Sequence, residues 1–300
     1  MIDIIITSFN EPKATLRAVE TFLKQNTNEK FRIIVCDPFP EVKNFLKKNI
    51  KDKKVGFFLD PGEGKSYALN LLFEKLSGNK NDFFILTDGD VYVSENTINE
   101  INKAFEDPEV GCVTGKPVSI DNKDNKFGYW SHLLFSGIDK VRKKLSDKKE
   151  FFECSGYLFA IRKGVITDFP IDASEDSVIP YLFWKKDYKI KYVPEAEVYV
   201  KNPNNLKDWE NQKTRNIKGH ENLSKLFPDM PRTKSFFNEI KYGLFHALFY
   251  PRSFKQFIWT YQLFKSRYSI YKKAFKDLKK QEVYSDGWRE TEIDSTKPLD

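Results

Sequence analysis

The sequence predicts an α/β fold with a mostly parallel central sheet, followed by an aromatic and basic helical extension at the C-terminal end. Short apolar runs alternate with helix-length segments, and these runs lack strict polar alternation, which is typical of strands buried on both faces. From residue 236 onward the chain becomes dense in Phe, Tyr, Trp, Lys and Arg, which predicts the extension. Repeated strand–helix alternation indicates βαβ units, whose ligands bind at the carboxyl ends of the strands.

Seven apolar runs, rich in β-branched and aromatic residues, are predicted strands. They cover residues 2–7, 31–36, 55–59, 82–87, 110–115, 156–162 and 188–200. Helices are predicted where apolar residues recur at helical spacing. These segments cover residues 12–25, 41–49, 64–78, 94–107, 174–187 and 206–227.

Composition limits the class of protein. The 300 residues are 40% hydrophobic and 15% aromatic, so the chain can bury a substantial core, and we do not expect a disordered or fibrous protein. The three cysteines, Cys36, Cys112 and Cys154, lack metal-type spacing and are odd in number, which favours buried thiols in a cytosolic protein. The first residues, "MIDIIITSFNEP", do not match a signal peptide, because they are too short and lack a basic start.

The net charge of +7 is concentrated near the C-terminus. Residues 251–280 carry nine Lys and Arg against one acid, so they contribute +8 and the rest of the chain sums to −1. We therefore expect no nucleic-acid partner. The longest uncharged runs there, 242–251 and 256–264, are shorter than the ~20 residues that cross a bilayer. Basic aromatic helices suit an anionic membrane surface. A helical subdomain packed on the body is the alternative, and both can hold.

Residues 61–70, "PGEGKSYALN", look like a phosphate-binding loop. That motif requires a glycine five positions before Gly64, but position 59 is Leu, and Gly62 is too close to replace it. The sequence therefore argues against an ATP or GTP loop. A helix start explains the two glycines but not Lys65.

The segment "TDGD" (87–90) ends a predicted buried strand. Asp88 and Asp90 are two apart on an extended segment, so they point the same way and can share a hard cation such as Mg²⁺ or Mn²⁺. The alternative is a polar turn, because Asp-Gly is common in turns.

Two later segments also carry candidate site residues. "ASEDS" (173–177) places Glu175 and Asp176 in the first turn of a helix, where acids also stabilise the helix dipole. "DWENQKTRNIKG" (208–219) places Gln212 and Arg215 on one helical face, which a merely exposed polar face would also explain.

Together, in this order, these segments resemble an inverting family 2 glycosyltransferase of the GT-A fold, from about residue 2 to about residue 220. The resemblance rests on six segments: "IITSFNEP", "IVCDPFPE", "GKSYALN", "DGD", "CSGYLFAIRK" with "SED", and "YVPEAEVYVKNPNNLKDWENQKTRNIKG". Three positions depart from the family pattern. Asn216 replaces the Trp of the last motif, Lys201 lies in a region that lacks the usual metal-binding His, and Cys36 replaces a second Asp.

The resemblance implies a metal-dependent, hexosyltransferase-like reaction. A sugar would move, with inversion by single displacement, from a UDP- or GDP-linked donor to a hydroxyl or phosphate acceptor. It implies Mn²⁺ or Mg²⁺ held by Asp90 and Asp88, and Asp176 as the base. The implied substrate-binding residues are Asn10, Glu11, Asp37, Lys65, Asp88, Glu175, Gln212 and Arg215. Among them, Asp37 would read the nucleotide base, and Lys65 would lie near base and phosphates.

The predicted organisation is a GT-A catalytic domain at 1–222, an amphipathic helical and membrane-associating region at 223–280, and a polar loose tail at 281–300. The implied acceptor is a glycan or a polyprenyl-linked molecule, and the implied location is the cytoplasmic face of a membrane. Two rival functions are a non-catalytic, membrane-associated module that binds nucleotide sugars and a metal-dependent nucleotide-hydrolysing α/β enzyme.

Overall fold

The computed structural model describes residues 1–233 and 235–279. The polar tail predicted at 281–300 lies outside the described residues. Within them, strands and helices alternate along most of residues 2–226, and three successive helices follow the last strand.

One sheet of eight strands runs through the described part of the chain, in the spatial order β3-β2-β1-β4-β7-β6-β8-β5. The strands are β1 (Ile2–Thr7), β2 (Phe31–Asp37), β3 (Val55–Leu59), β4 (Phe83–Asp88), β5 (Tyr92–Val93), β6 (Val110–Ser119), β7 (Leu158–Arg162) and β8 (Lys189–Val200). Four of the seven pairings are parallel, and β7 and β5 supply the antiparallel ones. This sheet and the helices after it confirm the predicted fold class. The edge strand β3 is half exposed rather than buried on both faces.

Nine helices accompany the sheet over the described ranges. They are α1 (Pro12–Leu23), α2 (Pro40–Asn49), α3 (Lys65–Lys75), α4 (Thr97–Ala104), α5 (Lys126–Asp147), α6 (Glu175–Trp184), α7 (Leu206–Leu226), α8 (Phe236–Phe249) and α9 (Phe254–Lys279). Helix α4 begins three residues later than predicted. Helix α5 occupies a segment for which no element was predicted, and α7 continues past the predicted domain boundary at 222.

Local sequence signals fix several helix starts. Pro12 and Pro40 begin α1 and α2, where the fixed φ of proline favours the first helical turn. The side chain of Asn125 accepts a hydrogen bond from Gly128 N at the start of α5. Before α3, Gly62 and Gly64 have φ values of 81° and 110°, which favour glycine, so these two residues make the turn, as predicted.

The hydrophobic core has three parts. Two clusters lie on the two sides of the sheet, and all three cysteines are buried and unpaired, as expected. The third cluster joins α5, α7, α8 and α9 around Trp130 and Trp209. Trp130 Nε1 donates to Trp259 O at 2.7 Å, and the Tyr129 and Thr260 hydroxyls are 2.7 Å apart. The C-terminal helices are therefore packed on α5 and α7.

The outer side of these helices is apolar and exposed. Phe237, Phe245, Phe249 and Phe254 are between 76% and 82% exposed. Within residues 1–233 and 235–279, no helix has both the length and the apolarity needed to cross a membrane. These helices therefore pack on the rest of the protein and also present an exposed apolar face.

Candidate active site

One cavity of about 1020 Å³ lies at the carboxyl edge of the sheet and extends beneath the C-terminal helices. Most of the predicted site residues line it. They are Glu11, Lys65, Asp88, Asp90, Glu175, Asp176, Gln212 and Arg215, and Lys201 lines it as well. The topology explains this convergence, because β1 and β4 are parallel neighbours and end at the same edge.

Lys65 is held between two carboxylates at the centre of this cavity. Its Nζ lies 2.6 Å from Asp88 Oδ1, at the end of β4, and 2.6 Å from Glu175 Oε1, at the start of α6. Burial lowers the pKa of Lys65, but the two carboxylates outweigh burial and hold that pKa well above its usual value. Lys65 is therefore a fixed ammonium group that ties α3, β4 and α6 together.

The rest of the "GKSYALN" segment anchors α3. Ser66 Oγ donates to Ala173 O at 3.2 Å, and Asn70 Nδ2 donates to Phe169 O at 2.8 Å. Phe169 N donates back to Asn70 Oδ1 at 3.1 Å. These bonds fix the loop before α6, so Lys65 and Glu175 keep their relative positions.

The turn that carries the two aspartates requires glycine at position 89. A Cβ there would lie 2.5 Å from Ser8 Cβ and 3.0 Å from Thr15 Oγ1. Gly89 N donates to Thr7 O at 2.7 Å, which presses the turn against the end of β1. The backbone of this turn therefore helps to hold Asp88 and Asp90 at the cavity wall.

The donor set at this turn fits a hard divalent cation. Asp88 and Asp90 both line the cavity and offer carboxylate oxygens. Among the described residues, no cluster of three or more His, Cys, Asp or Glu side chains could hold a metal ion. Mg²⁺ is usually bound through one or two carboxylates together with waters and substrate phosphates, so two aspartates suffice when a phosphate ligand completes the set.

The Asp176 carboxylate is oriented by two donors and one further hydroxyl. Gly156 N donates to Oδ2 at 3.2 Å and Ser174 Oγ donates to Oδ1. Ser177 Oγ lies 3.3 Å from Oδ1. A Cβ at position 156 would lie 3.4 Å from Oδ2, so glycine leaves this oxygen room. Asp176 is thus a half-buried carboxylate with a defined orientation in the cavity.

Sequence reasoning missed a buried network next to Asp176. Glu153, 5% exposed, accepts from Ser177 Oγ at 2.7 Å and lies 3.3 Å from His220 Nδ1. The Thr233 hydroxyl donates to Glu153 as well. Glu153 and His220 line the cavity, and the Ser177 hydroxyl lies between the Glu153 and Asp176 carboxylates. An acid inside the apolar run "FFECSGY" was a usable signal for Glu153, whereas His220 lies in a polar helix and gave none.

Arg142 is a second missed residue of the cavity wall. Its side chain is only 9% exposed, and Nη2 donates to Cys154 O at 2.9 Å. Burial lowers the pKa of its guanidinium. Arg142 thereby connects α5 to the strand-like segment that carries Glu153 and Gly156, both of which contact the Asp176 region.

Asp37 and Asn10 do not line the cavity. Asp37 is fully buried and accepts from Ser8 Oγ at 2.5 Å, Asn10 N at 3.0 Å and Phe39 N at 2.8 Å. It therefore ties the end of β1 to the end of β2, while the Asn10 side chain is exposed. Burial raises the pKa of Asp37, and burial likewise raises the pKa of Asp60, a missed acid at the end of β3.

Solved structures that resemble this chain have low sequence identity to it. A crystal structure of S. aureus TarS is 16% identical, covers 86% of this chain and 47% of TarS, and gives a TM-score of 0.46. A crystal structure of GalNAc-T7 with UDP, GalNAc and Mn²⁺ is 19% identical, covers 86% of this chain and 56% of GalNAc-T7, and gives a TM-score of 0.48.

Curated relatives are more similar in sequence. The poly-beta-1,6-N-acetyl-D-glucosamine synthase of Staphylococcus aureus (strain COL) is 25% identical over 244 residues, which are 78% of this chain and 58% of that protein. An N-acetylglucosaminyltransferase of Rhizobium meliloti (strain 1021) is 24% identical over 241 residues, 71% of this chain and 54% of that protein. The chain therefore spans little more than half the length of these relatives.

The family match covers the first part of the chain, which contributes nearly half of the residues that line the cavity. Residues 3–169 match the sequence model described as glycosyl transferase family 2. This stretch includes Lys65, Asp88, Asp90 and the Gly156 that holds Asp176. Because the match extends over more than half of the chain, the protein belongs to glycosyl transferase family 2.

Proposed function

We propose that this protein transfers a sugar from a nucleoside diphosphate sugar to an acceptor, with inversion at the anomeric carbon. One observation carries the proposal: a member of family 2 brings the Asp88–Asp90 pair, the Lys65–Glu175 ion pair and the oriented Asp176 carboxylate into a single cavity. Each group fits one part of a displacement reaction.

The donor end of the cavity is the part around Asp88 and Asp90. Asp90, assisted by Asp88, would hold Mn²⁺ or Mg²⁺. A divalent ion supplies positive charge that stabilises a diphosphate leaving group. The Lys65 ammonium lies next to Asp88, and Arg215 and Lys201 add positive charge to the same cavity.

The other predicted donor contacts are part of the same proposal. Glu11 and Gln212 line the cavity. Glu11 would contact the nucleoside, and Gln212 would contact the diphosphate or the acceptor. Asn10 and Asp37 are not lining residues of the cavity. Asp37 holds the β1–α1 and β2–α2 turns together, so it would act on a nucleotide base through the position of these turns.

Asp176 is the base in this mechanism. It takes the proton of an acceptor hydroxyl as that oxygen forms a bond to the anomeric carbon. The bond from that carbon to the diphosphate breaks at the same time, and the electron pair leaves with the diphosphate. One carboxylate is sufficient, since the diphosphate leaves without being protonated, unlike the leaving group in glycoside hydrolysis.

The names of the relatives suggest which donor to test first. Both curated relatives have N-acetylglucosamine in their names. A panel of UDP- and GDP-linked sugars that includes UDP-N-acetylglucosamine, assayed for nucleotide release with Mn²⁺ or Mg²⁺, tests the function. We expect release from one donor only when the ion is present. ATP or GTP hydrolysis without sugar would favour the rival hydrolase, and binding without turnover would favour the non-catalytic module.

Replacing Asp90 by alanine should abolish metal-dependent turnover. The variant loses one of two carboxylates that would hold the ion, and ion-assisted charge stabilisation is worth several kcal/mol, so the expected loss is at least about 100-fold. Initial rates across a Mn²⁺ titration measure the effect, and Glu106→Ala, an exposed acid beyond α4, is the matched control. An unchanged metal titration in Asp90→Ala would contradict the ligand assignment.

The outer face of α8 and α9 is the proposed contact with the cytoplasmic surface of a membrane. A second cavity of about 800 Å³ lies there, lined by Lys123, Lys140 and Arg252 together with the exposed Phe245 and Phe249. No acidic side chain is among its lining residues. Cationic side chains beside exposed aromatic rings suit anionic lipid headgroups above an apolar interior.

Charge reversal in this second cavity should weaken vesicle binding. Each Lys or Arg near an anionic surface contributes about 1 kcal/mol, so Lys140→Glu combined with Arg252→Glu should lower binding to phosphatidylglycerol vesicles at least about tenfold. Flotation measures this, and Lys47→Glu with Lys48→Glu on α2 is the control with the same change in net charge. Equal loss in both double variants, or none in either, would contradict the assignment of this face.

A further inference from the structure

The catalytic cavity continues along one face of α5. Leu134, Ile138, Val141 and Leu145 recur at helical spacing and all line the cavity, over about 16 Å of helix. At the near end of this stripe, Arg142 donates to Cys154 O, two residues before the glycine whose N–H holds Asp176. The apolar stripe therefore starts beside the proposed base and leads away from it.

The opposite wall of this arm comes from α8 and α9. It consists of Tyr242, Gly243, Ala247, Leu263 and Phe264. Arg267 and Glu239 also line the cavity, and they are paired with each other, with Arg267 Nε 2.9 Å from Glu239 Oε2. These two charged groups of the α8–α9 wall are thus used in an ion pair with each other, and the other five residues named here are mostly apolar.

Two glycines line the arm where it is open. A Cβ at Gly243 would have no atom within 4 Å, and a Cβ at Gly137 would meet only His246 Cδ2, at 3.4 Å. Helix packing therefore does not fill the space beside Gly243, and a ligand can occupy it. Glycine is a weaker helix former than alanine or leucine, so a larger side chain at this position need not destabilise α8.

The far end of the arm approaches the exposed aromatic face. Tyr242 and His246 line both the catalytic cavity and the basic outer cavity. Phe245 and Phe249, 76% and 80% exposed, lie on the same helix. An apolar chain that left the arm here would pass directly from the protein to the proposed membrane surface.

These contacts point to an amphipathic acceptor, and we propose that the arm between α5 and α8 binds the alkyl or isoprenoid chain of a lipid acceptor. The reactive head of that lipid lies at Asp176, and its chain runs between Ile138 and Gly243 towards Phe245. A nucleotide sugar is polar and fits the end with Lys65 and Asp88, so it leaves the apolar arm unfilled. Burial of its apolar surface would hold the chain there. This proposal rests on the proposed function for the head, but the chain site is separately testable.

Gly243→Leu should fill the arm without disturbing the fold. The new side chain enters open space, and leucine is a better helix former than glycine, so the melting temperature should not fall. A diazirine-labelled farnesyl phosphate is the probe, and labelled peptides are located by mass spectrometry without donor present. In the unmodified protein we expect labels within residues 134–145 and 236–249. We expect about tenfold less labelling in Gly243→Leu and nearly unchanged labelling in Gly243→Ala.

A second variant and a separate donor measurement keep the outcomes distinct. If Gly243→Leu fails to fold, Ile138→Trp replaces it as the test. This variant narrows the arm from the α5 side and should lower labelling in the same way. Labelling that neither variant reduces, or that is confined to the exposed faces of Phe245 and Phe249, would overturn the proposal. If the unmodified protein binds no nucleotide, the proposed function is wrong, but the proposed site for the lipid chain is unaffected.

Discussion

Asp176→Asn is expected to abolish sugar transfer while donor affinity stays unchanged. The amide has the size of the carboxylate but cannot take a proton from the acceptor, and a general base contributes about 10² to 10⁴-fold to a rate. Two donors hold the carboxylate, namely Gly156 N on Oδ2 and the Ser174 hydroxyl on Oδ1, and the Ser177 hydroxyl lies 3.3 Å from Oδ1. An amide NH₂ would face one of these donors, so a small loss of stability is expected too.

The kinetic and binding measurements separate these effects. Transfer rates at saturating donor report the loss of the base, and calorimetry reports donor affinity. Asp172→Asn, an exposed acid four residues earlier, is the matched control and should behave like the unmodified protein. Ser177→Ala should cost much less than Asp176→Asn, because two donors to Asp176 remain. Normal turnover by Asp176→Asn would reject Asp176 as the base.

Lys65→Met is expected to lower both stability and donor binding. The substitution leaves Asp88 and Glu175 without the ammonium that lies 2.6 Å from each, and the Glu175 side chain is only 8% exposed. Removing one partner of a buried ion pair costs about 3 kcal/mol of unfolding free energy. Donor binding should fail as well, because two uncompensated carboxylates would face the donor phosphates.

A double variant distinguishes the structural role of Lys65 from its role in binding. Lys65→Met combined with Glu175→Gln removes the buried charge at α6, so it should recover much of the stability measured by urea unfolding without recovering donor binding. Lys75→Met, at the exposed end of α3, is the control. A single Lys65→Met variant with unchanged stability and donor affinity would show that the ion triad does not organise the site.

Much of the fold follows from local sequence signals. The strands at 2–7 and 82–87 are continuous apolar runs and appear almost unchanged as β1 and β4. Helix α5 was missed because Gly128 and Gly137 interrupt its pattern and suggest loops. Both glycines lie next to other parts of the chain. A Cβ at Gly128 would lie 1.9 Å from Asn122 O, and Gly137 faces His246 across the arm. The antiparallel direction of β7 also lacks a local signal.

The site was predictable where short motifs end regular elements. Asp88, Asp90, Glu175 and Asp176 follow a strand or begin a helix, so their shared edge can be inferred from topology. Asp37 also lies at the end of a strand, yet it is buried among three hydrogen-bond donors rather than exposed in the cavity. Whether an acid at a strand end faces the ligand or ties two turns together depends on neighbouring loops, which the sequence pattern does not place.

The Glu153 network and the apolar arm depend on contacts between distant segments. Glu153 meets Thr233 across 80 residues and lies close to His220, and the arm lies between α5 and α8, where the space beside Gly243 is open. No motif spans such distances. Only the general composition after residue 236 indicated a role for the C-terminal helices, and it did not indicate that they would extend the catalytic cavity.

Calorimetry with UDP, GDP and their sugars, each with and without Mn²⁺, tests the central claim most directly. We predict that one nucleotide and its sugar bind, that Mn²⁺ strengthens the binding, and that Asp90→Ala removes the metal effect. Absence of nucleotide binding in the presence of Mn²⁺ would contradict the account that the cavity at the end of β4 is the donor site of a sugar transferase.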